Sequence, residues 1–161
     1  MPHPRRYRLA STWLVEAPVE RCWAVLADPT MSWPRWWPGV RARDVRPHAE
    51  LVGSTAHVEF RARIPHVPGA YTLRLDLAVA GAEPPRRVTL RTTGDLEGSA
   101  FVELARASSP DSTRITVDWD VQTTLAWMNV LGPVLARPFA ASHAAVMRAG
   151  EQGLRQLLAD S

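Results

Sequence analysis

Hydrophobic and polar residues alternate with a period of two through much of the chain between positions 40 and 122. In the run 56–64 every second residue is apolar, and the residues between them are His57, Glu59, Arg61 and Arg63. Similar alternation covers 71–79, 88–92, 98–107 and 115–121. The pattern predicts strands with one face in a dry core and the other in water. Because the connections are short and rich in proline, glycine and aspartate, neighbouring strands should be antiparallel.

A helical period replaces this alternation near the C-terminus. Positions 138–158 predict one long helix, with Pro138 in its first turn and a length on the order of 30 Å. A separate short apolar helix around Trp127 should precede it and end at Gly132 and Pro133. One stripe of the long helix is apolar apart from a histidine, and consists of Phe139, His143, Val146, Met147, Gly150, Leu154 and Leu157.

The first forty residues predict a strand and two short helices. Residues 7–15 are rich in aromatic and aliphatic side chains, as in a strand, and Pro18 then suits the start of a helix. Apolar residues at helical spacing give that helix one buried face, made of Val19, Cys22, Trp23 and Leu26. A thiol on such a face is expected to be packed rather than reactive.

Three tryptophans follow within five positions and are separated by proline and arginine. Trp33, Trp36 and Trp37 fit neither a long helix nor a regular strand, so the sequence predicts a short helical turn. Two interpretations stay open. The indoles plug the core against the C-terminal helix, line the mouth of a pocket, or do both.

Composition favours one folded domain over residues 1–161, with 46% hydrophobic residues. No apolar run approaches the roughly 20 residues of a membrane span, and no secretory signal is visible. Since Cys22 is the only cysteine, we expect a cytoplasmic protein without an internal disulfide. The formal charge is +3, but the 19 basic residues are all arginine and are interleaved with 16 acids. This scatter argues against nucleic-acid binding.

The order of these elements and two local motifs resemble the Bet v 1/START-like helix-grip superfamily, also called SRPBCC. Residues 15–20, followed by Trp23, are similar to its entry motif, and residues 26–40 are similar to a second motif that ends in Gly39 and Val40. The resemblance covers essentially the whole chain. It implies an α+β helix-grip fold, in which a curled antiparallel sheet of about seven strands surrounds a long C-terminal helix and two short helices follow the first strand.

The same resemblance implies a ligand cavity between the concave face of the sheet and the long helix. Walls that are apolar with a few polar groups are typical of sites for small molecules, although such side chains can also simply fill an interior. By alternation, the candidate ligand-binding residues on the sheet are Phe60, Tyr71, Leu73, Leu75, Leu77, Leu90, Thr92, Trp119 and Val121. The helix should contribute Phe139, His143, Val146 and Met147, and Trp33, Trp36 or Trp37 should lie near the entrance.

Few residues could carry chemistry. The sequence has no paired-cysteine, His-x-x-x-His, Gly-x-Ser-x-Gly or glycine-rich phosphate motif, so we expect no metal and no cofactor. His143 is the exception, because it lies on an apolar stripe. It is either a neutral core histidine held by a hydrogen bond, or a ligand contact or proton-transfer group. The charged residues of the strands alternate toward water, namely His57, Glu59, Arg74, Asp76, Arg91, Asp118 and Asp120.

These observations favour a binder of an apolar small molecule, such as a lipid, polyketide or isoprenoid-like compound. One alternative is a polyketide cyclase or dehydrase with His143 as general acid and base. In the aromatase/cyclase branch of the superfamily, the strand matching 71–79 carries an arginine and other polar side chains, whereas this chain has Leu73, Leu75 and Leu77. A tyrosine expected at the end of the second motif is also missing, which favours an apolar pocket.

A third hypothesis is a protein-interaction module that exposes the tryptophans at 33–37. For the chain itself we expect a monomer or a weak homodimer. The expected partner is an apolar small molecule, with no nucleic acid and no membrane span.

Overall fold

The computed structural model describes residues 3–161, which form one sheet and three helices. The strands are β1 (Arg6–Val15), β2 (Val40–Arg46), β3 (Thr55–Ala62), β4 (Tyr71–Glu83), β5 (Arg87–Gly94), β6 (Leu96–Arg106) and β7 (Thr113–Thr123). The helices are α1 (Val19–Leu26), α2 (Trp33–Trp36) and α3 (Ala126–Ala159). Two short helices therefore follow the first strand, and one long helix ends the chain, as the sequence predicts.

The sheet has seven antiparallel strands in the order β1-β7-β6-β5-β4-β3-β2. From β2 to β7 each strand pairs with the next, and β1 then pairs with β7. The registers bring apolar residues of neighbouring strands to the same face, with Phe60 opposite Leu73 and Val102 opposite Val117. The α+β helix-grip fold predicted from the sequence is confirmed.

Helix α3 is longer than predicted. The expected break at Gly132 and Pro133, and the expected start at Pro138, are both wrong, because α3 is one helix of 34 residues with both prolines inside it. Each proline leaves one carbonyl of the preceding turn without its intrahelical donor. The carbonyl freed by Pro138 belongs to Val134, which is 78% exposed, so water can bind it. Phe139 packs in an apolar cluster on the other side of the helix and holds this half against the sheet.

The buried stripe of α3 differs from the prediction at its end. Phe139, Met147, Gly150 and Leu154 are buried as expected. Leu157, however, is 37% exposed, and Leu158 is buried in its place. Over so long a helix, a buried face that is predicted from the spacing of residues can be wrong by about one position.

The tryptophans in α2 and directly after it pack against α3 and β1. Trp37 stacks on Trp36 with ring centroids 5.7 Å apart and meets Trp13 edge-on at 5.4 Å. A Cβ atom added at Gly150 would lie 2.5 Å from Trp37 Cε2, so the glycine is what lets the indole approach the helix. The three indoles plug the core, which is the first of the two interpretations drawn from the sequence.

By length and composition alone, α3 could cross a membrane. Its most apolar stretch has a mean hydropathy of 1.2, and only 22% of that stretch is buried. In this fold the helix lies along the sheet and contacts β1, β3 and β7. A helix packed within a globular fold passes the same test, so its hydropathy does not by itself indicate a span.

Candidate ligand-binding cavity

A cavity lies between the concave face of the sheet and α3. The space open to the centre of a water-sized sphere is about 80 Å³, and the whole recess with its mouth measures about 720 Å³. Its wall is almost entirely apolar. The lining residues are Tyr7, Leu9, Phe60, Ala62, Tyr71, Leu73, Leu75, Leu96, Trp119, Val121, Met128, Phe139, His143, Val146 and Met147.

Most of the candidate residues come together on this wall. Alternation places every second residue of β3, β4 and β7 on the concave face, and spacing of three and four places the helical ones opposite. The sequence candidates found here are Phe60, Tyr71, Leu73, Leu75, Trp119, Val121, Phe139, His143, Val146 and Met147. Whether they bind a ligand stays a prediction.

Three other candidate residues line a second, smaller cavity. It lies under the connection between α1 and α2, offers about 40 Å³ to a water-sized sphere, and is lined in part by Trp33, Leu77 and Leu90. Thr92 lines neither cavity. Its buried hydroxyl donates a 2.6 Å hydrogen bond to the carbonyl of Leu96, which makes it a structural residue.

Of the three tryptophans proposed for an entrance, Trp36 and Trp37 lie in the hydrophobic core. Both are buried, with 7% and 5% of their surface exposed, and neither lines either cavity. The indole N–H of Trp37 donates to the carbonyl of Val146, and that of Trp33 donates to the carbonyl of Leu26. The short helix α2 turns the indoles inward because the glycine at 150 leaves room for them on α3.

Several lining residues were not predicted from the sequence. Strand β1 supplies Tyr7 and Leu9, and Leu9 pairs with Trp119 of β7. The signal was present, because Tyr7, Leu9, Trp13 and Val15 alternate, but the apolar Leu14 between them obscured it. Ala62, Leu96 and Met128 also line the wall and lie at the ends of their elements, where boundaries are hard to place.

Aromatic rings surround one end of the cavity. Phe139 meets Tyr7 and Tyr71 edge-on, each with ring centroids 6.3 Å apart. Trp127 meets both Tyr71 and Phe139 at 5.8 Å and is itself 37% exposed. Edge-to-face contacts of this kind favour a fixed arrangement of rings. This end of the cavity therefore has an aromatic wall that reaches the protein surface.

Three polar side chains interrupt the apolar wall. The Tyr71 hydroxyl is hydrogen-bonded to the Ser142 hydroxyl at 3.0 Å. Tyr7 Oη and His143 Nε2 are buried and have no hydrogen-bond partner among residues 3–161. Since buried polar atoms are nearly always paired, these two atoms mark where a ligand or an ordered water could bind.

Burial sets the protonation of these groups. It lowers the pKa of His143 from 6.5 to about 4, so the imidazole is neutral at neutral pH. Burial also raises the pKa of Tyr7 and that of Tyr71, which keeps both phenols protonated. The polar groups that face the cavity are therefore uncharged.

The other titratable groups lie outside the cavity. On the convex face, Asp120 accepts a 2.5 Å hydrogen bond from Arg6, and His57 Nδ1 lies 2.8 Å from Asp76. Cys22 is fully buried, and burial raises the pKa of its thiol. Within residues 3–161, no group of three or more His, Cys, Asp or Glu side chains is arranged to hold a metal ion.

Comparison with known proteins shows which solved structures have the same fold. No protein-family model and no curated protein sequence matches the chain. Among solved structures, a START superfamily protein from Mycobacterium smegmatis matches 93% of this chain and 98% of its own, with a TM-score of 0.67 at 19% identity. A conserved protein from Geobacillus kaustophilus matches 93% of this chain and 96% of its own, with a TM-score of 0.66 at 13% identity.

An enzyme is also among the structural neighbours. The Zhui aromatase/cyclase from Streptomyces sp. R1128 matches 94% of this chain and 93% of its own, with a TM-score of 0.66 at 15% identity. The chain therefore has the START-like helix-grip fold, and the resemblance drawn from its sequence is confirmed at the level of the fold. Since one fold serves many functions, any activity has to be argued from the cavity.

Proposed function

We propose that the chain binds a small, largely apolar molecule carrying one uncharged polar group, in the cavity between the sheet and α3. The observation that carries the proposal is the pair of buried, unpartnered atoms Tyr7 Oη and His143 Nε2 in an otherwise apolar wall. Leaving such atoms without hydrogen bonds is costly. A ligand that covers the apolar wall and supplies these bonds gains affinity from both.

The size of the cavity limits the ligand. By the same measure, one water molecule needs on the order of 10–15 Å³, so a space of about 80 Å³ holds a compact molecule. One or two rings, or a short chain, fit this space better than a whole phospholipid does. Among the compounds expected from the sequence, a small polyketide or isoprenoid-like molecule agrees best with the size of the cavity.

The electrostatics favour a neutral ligand. His143 is neutral because its pKa is about 4, and no arginine is among the lining residues. A carboxylate in this cavity would lose its hydration without gaining a cation. A neutral imidazole and a phenol can each donate and accept hydrogen bonds, which matches a hydroxyl or carbonyl group.

A polyketide cyclase or dehydrase remains the second candidate. The similarity to an aromatase/cyclase and the position of His143 on the cavity wall support it. A general acid or base works best with a pKa near the operating pH, whereas that of His143 is about 4. Within residues 3–161 no carboxylate is hydrogen-bonded to His143 Nε2, so binding accounts for the site better than catalysis does. The buried tryptophans of α2 give no support to an interaction module.

Three related probes test the proposal, namely 1-naphthol, naphthalene and 1-naphthoate, titrated against the purified protein while tryptophan fluorescence is recorded. We expect 1-naphthol to bind more tightly than naphthalene, and 1-naphthoate to bind most weakly at neutral pH. Tightest binding of the anion would contradict the proposed neutral site. The absence of binding by all three at micromolar concentration would contradict the binding function itself.

A further inference from the structure

The solvent-facing side of α3 is apolar over its N-terminal two-thirds. Trp127, Val130, Leu131 and Val134 form an outer stripe and are 37%, 63%, 43% and 78% exposed. Their spacing of three, four and seven residues places them on one face of the helix, whereas Met128 and Phe139, which line the cavity, lie on another. Further along, Ala140, Ala141 and Ala145 are also exposed, and between positions 126 and 147 the one exposed polar residue is Arg137.

The last third of the same helix shows what an ordinary solvent-facing side looks like. There the exposed residues include Arg148, Gln152, Arg155 and Gln156. The change from apolar to polar within one continuous helix is not explained by packing, because both parts face solvent. A contiguous exposed apolar surface of this kind marks an interaction site.

The charged residues of α3 near the outer stripe are arginines. From position 121 to 150 the chain has no aspartate or glutamate, but it has Arg137 and Arg148. The side chain of Arg5 lies against Gly132 of the helix. Arg63 is exposed next to Ile64, which packs with Phe139 under the same half of α3. The apolar surface therefore has a rim of arginines.

We propose that the outer stripe of α3 docks on the surface of an anionic lipid bilayer, with the helix lying in the plane of the membrane. The apolar side chains enter the boundary between headgroups and acyl chains, and the arginines contact lipid phosphates. Tryptophan suits this boundary because its ring is amphipathic. A second copy of the chain is the weaker partner, since it would bring the same arginines against each other.

The proposal concerns a docked helix rather than one that spans the bilayer. The opposite side of this half of α3 carries Met128 and Phe139, which line the cavity, so the helix has to stay on the sheet to complete the fold. Trp127 contacts the cavity residues Tyr71 and Phe139 and is also exposed. Docking through the outer stripe therefore brings the aromatic end of the cavity to the membrane.

Vesicle flotation tests the proposal with the whole chain. We compare vesicles of phosphatidylcholine alone with vesicles that contain about one third phosphatidylglycerol. The expected result is binding to the anionic vesicles, a blue shift of tryptophan emission, and weaker binding at high salt. Val134→Glu should lower the bound fraction about tenfold, and Val130→Glu is a second variant that should do the same.

Leu157→Glu is the matched control, because it places the same charge on the same helix, at a 37% exposed residue outside the outer stripe. It should bind vesicles like the wild-type chain, and circular dichroism should show all variants folded. Equal loss of binding in Leu157→Glu and Val134→Glu would overturn the proposal. A failure of the wild-type chain to float with anionic vesicles would also overturn it. The same holds if the chain does not float but forms a dimer that Val134→Glu dissociates.

Discussion

The indole N–H of Trp37 donates a 2.9 Å hydrogen bond to the backbone carbonyl of Val146 in α3. Val146 lines the ligand cavity, so this bond connects the buried tryptophan cluster to the wall of the site. Gly150 lies one helical turn further along and leaves the space that the indole occupies. The position of α3 over the sheet, and with it the shape of the cavity, depends on this close approach.

Substitution of Gly150 by alanine should therefore destabilise the fold. A new Cβ atom would lie 2.5 Å from the rigid Trp37 ring, and such overpacking typically costs about 1–3 kcal/mol. Gly132→Ala is the matched control in the same helix, because its Cβ would meet the flexible end of the Arg5 side chain. That variant should lose less stability than Gly150→Ala, because an arginine side chain can move aside and a packed indole ring cannot. Urea denaturation of both variants measures the difference, and equal effects would contradict the packing argument.

Enlarging one cavity residue should block the probe. Leu73 is half-buried and lines the cavity, so Leu73→Trp fills much of a space of about 80 Å³. We expect binding of 1-naphthol to be lost while the cooperative unfolding transition remains. Thr72→Trp is the control, since the adjacent residue of β4 points to the opposite face of the sheet. If Leu73→Trp binds the probe as the wild-type chain does, the ligand lies elsewhere.

The two tyrosines of the cavity should differ in their effect on selectivity. The hydroxyl of Tyr7 has no hydrogen-bond partner in the part of the chain that the structure describes, whereas that of Tyr71 is already bonded to Ser142. Tyr7→Phe should reduce the preference for 1-naphthol over naphthalene about tenfold, since it removes one hydrogen bond to the ligand. Tyr71→Phe should leave that preference unchanged. Calorimetric titration measures the ratio of the affinities for the two probes. A larger effect of Tyr71→Phe than of Tyr7→Phe would show that Tyr71, and not Tyr7, makes the polar contact.

Most of the fold could be predicted because strand alternation is a local property of the sequence. Each of the strands from β3 to β7 keeps an apolar face that can be read from its own residues. The length of α3 could not be predicted in this way. Pro133 and Pro138 favour a helix end by local rules, and packing of the same half of the helix against the sheet overrides them.

Residues of the candidate site were predictable where a strand or helix has one clearly apolar face. They were not predictable where a turn decides which way the side chains point. The residues of β4, β7 and α3 follow directly from spacing, and this places Leu73, Trp119 and His143 on one wall. Trp36 and Trp37 could not be placed, since their orientation depends on α2 and on a glycine more than a hundred residues away. The unpaired state of Tyr7 also depends on what surrounds it in space.

His143 should show a pKa of about 4, measured by NMR titration of its ring protons, because burial disfavours the charged imidazole. The unfolded chain has the ordinary value near 6.5, so it takes up the proton first as the pH falls. The contribution of the neutral, buried imidazole to the free energy of unfolding is therefore fully present above about pH 6.5 and is lost progressively between pH 6.5 and 4. A measured pKa above 6.5 would mean that an acid contacts the ring, and would favour the cyclase hypothesis.

The same linkage predicts how a variant without the imidazole responds to pH. Between about pH 7.5 and about pH 4.5, the wild-type chain should lose roughly 2–3 kcal/mol of unfolding free energy through this one group. His143→Leu cannot take up the proton, so its loss over the same range should be smaller by that amount. The other titrating groups are common to both proteins and cancel in the comparison. Urea denaturation of the two proteins at both pH values measures the difference. Parallel pH profiles would show that His143 is not buried as a neutral group, and the argument for a neutral ligand would lose its basis.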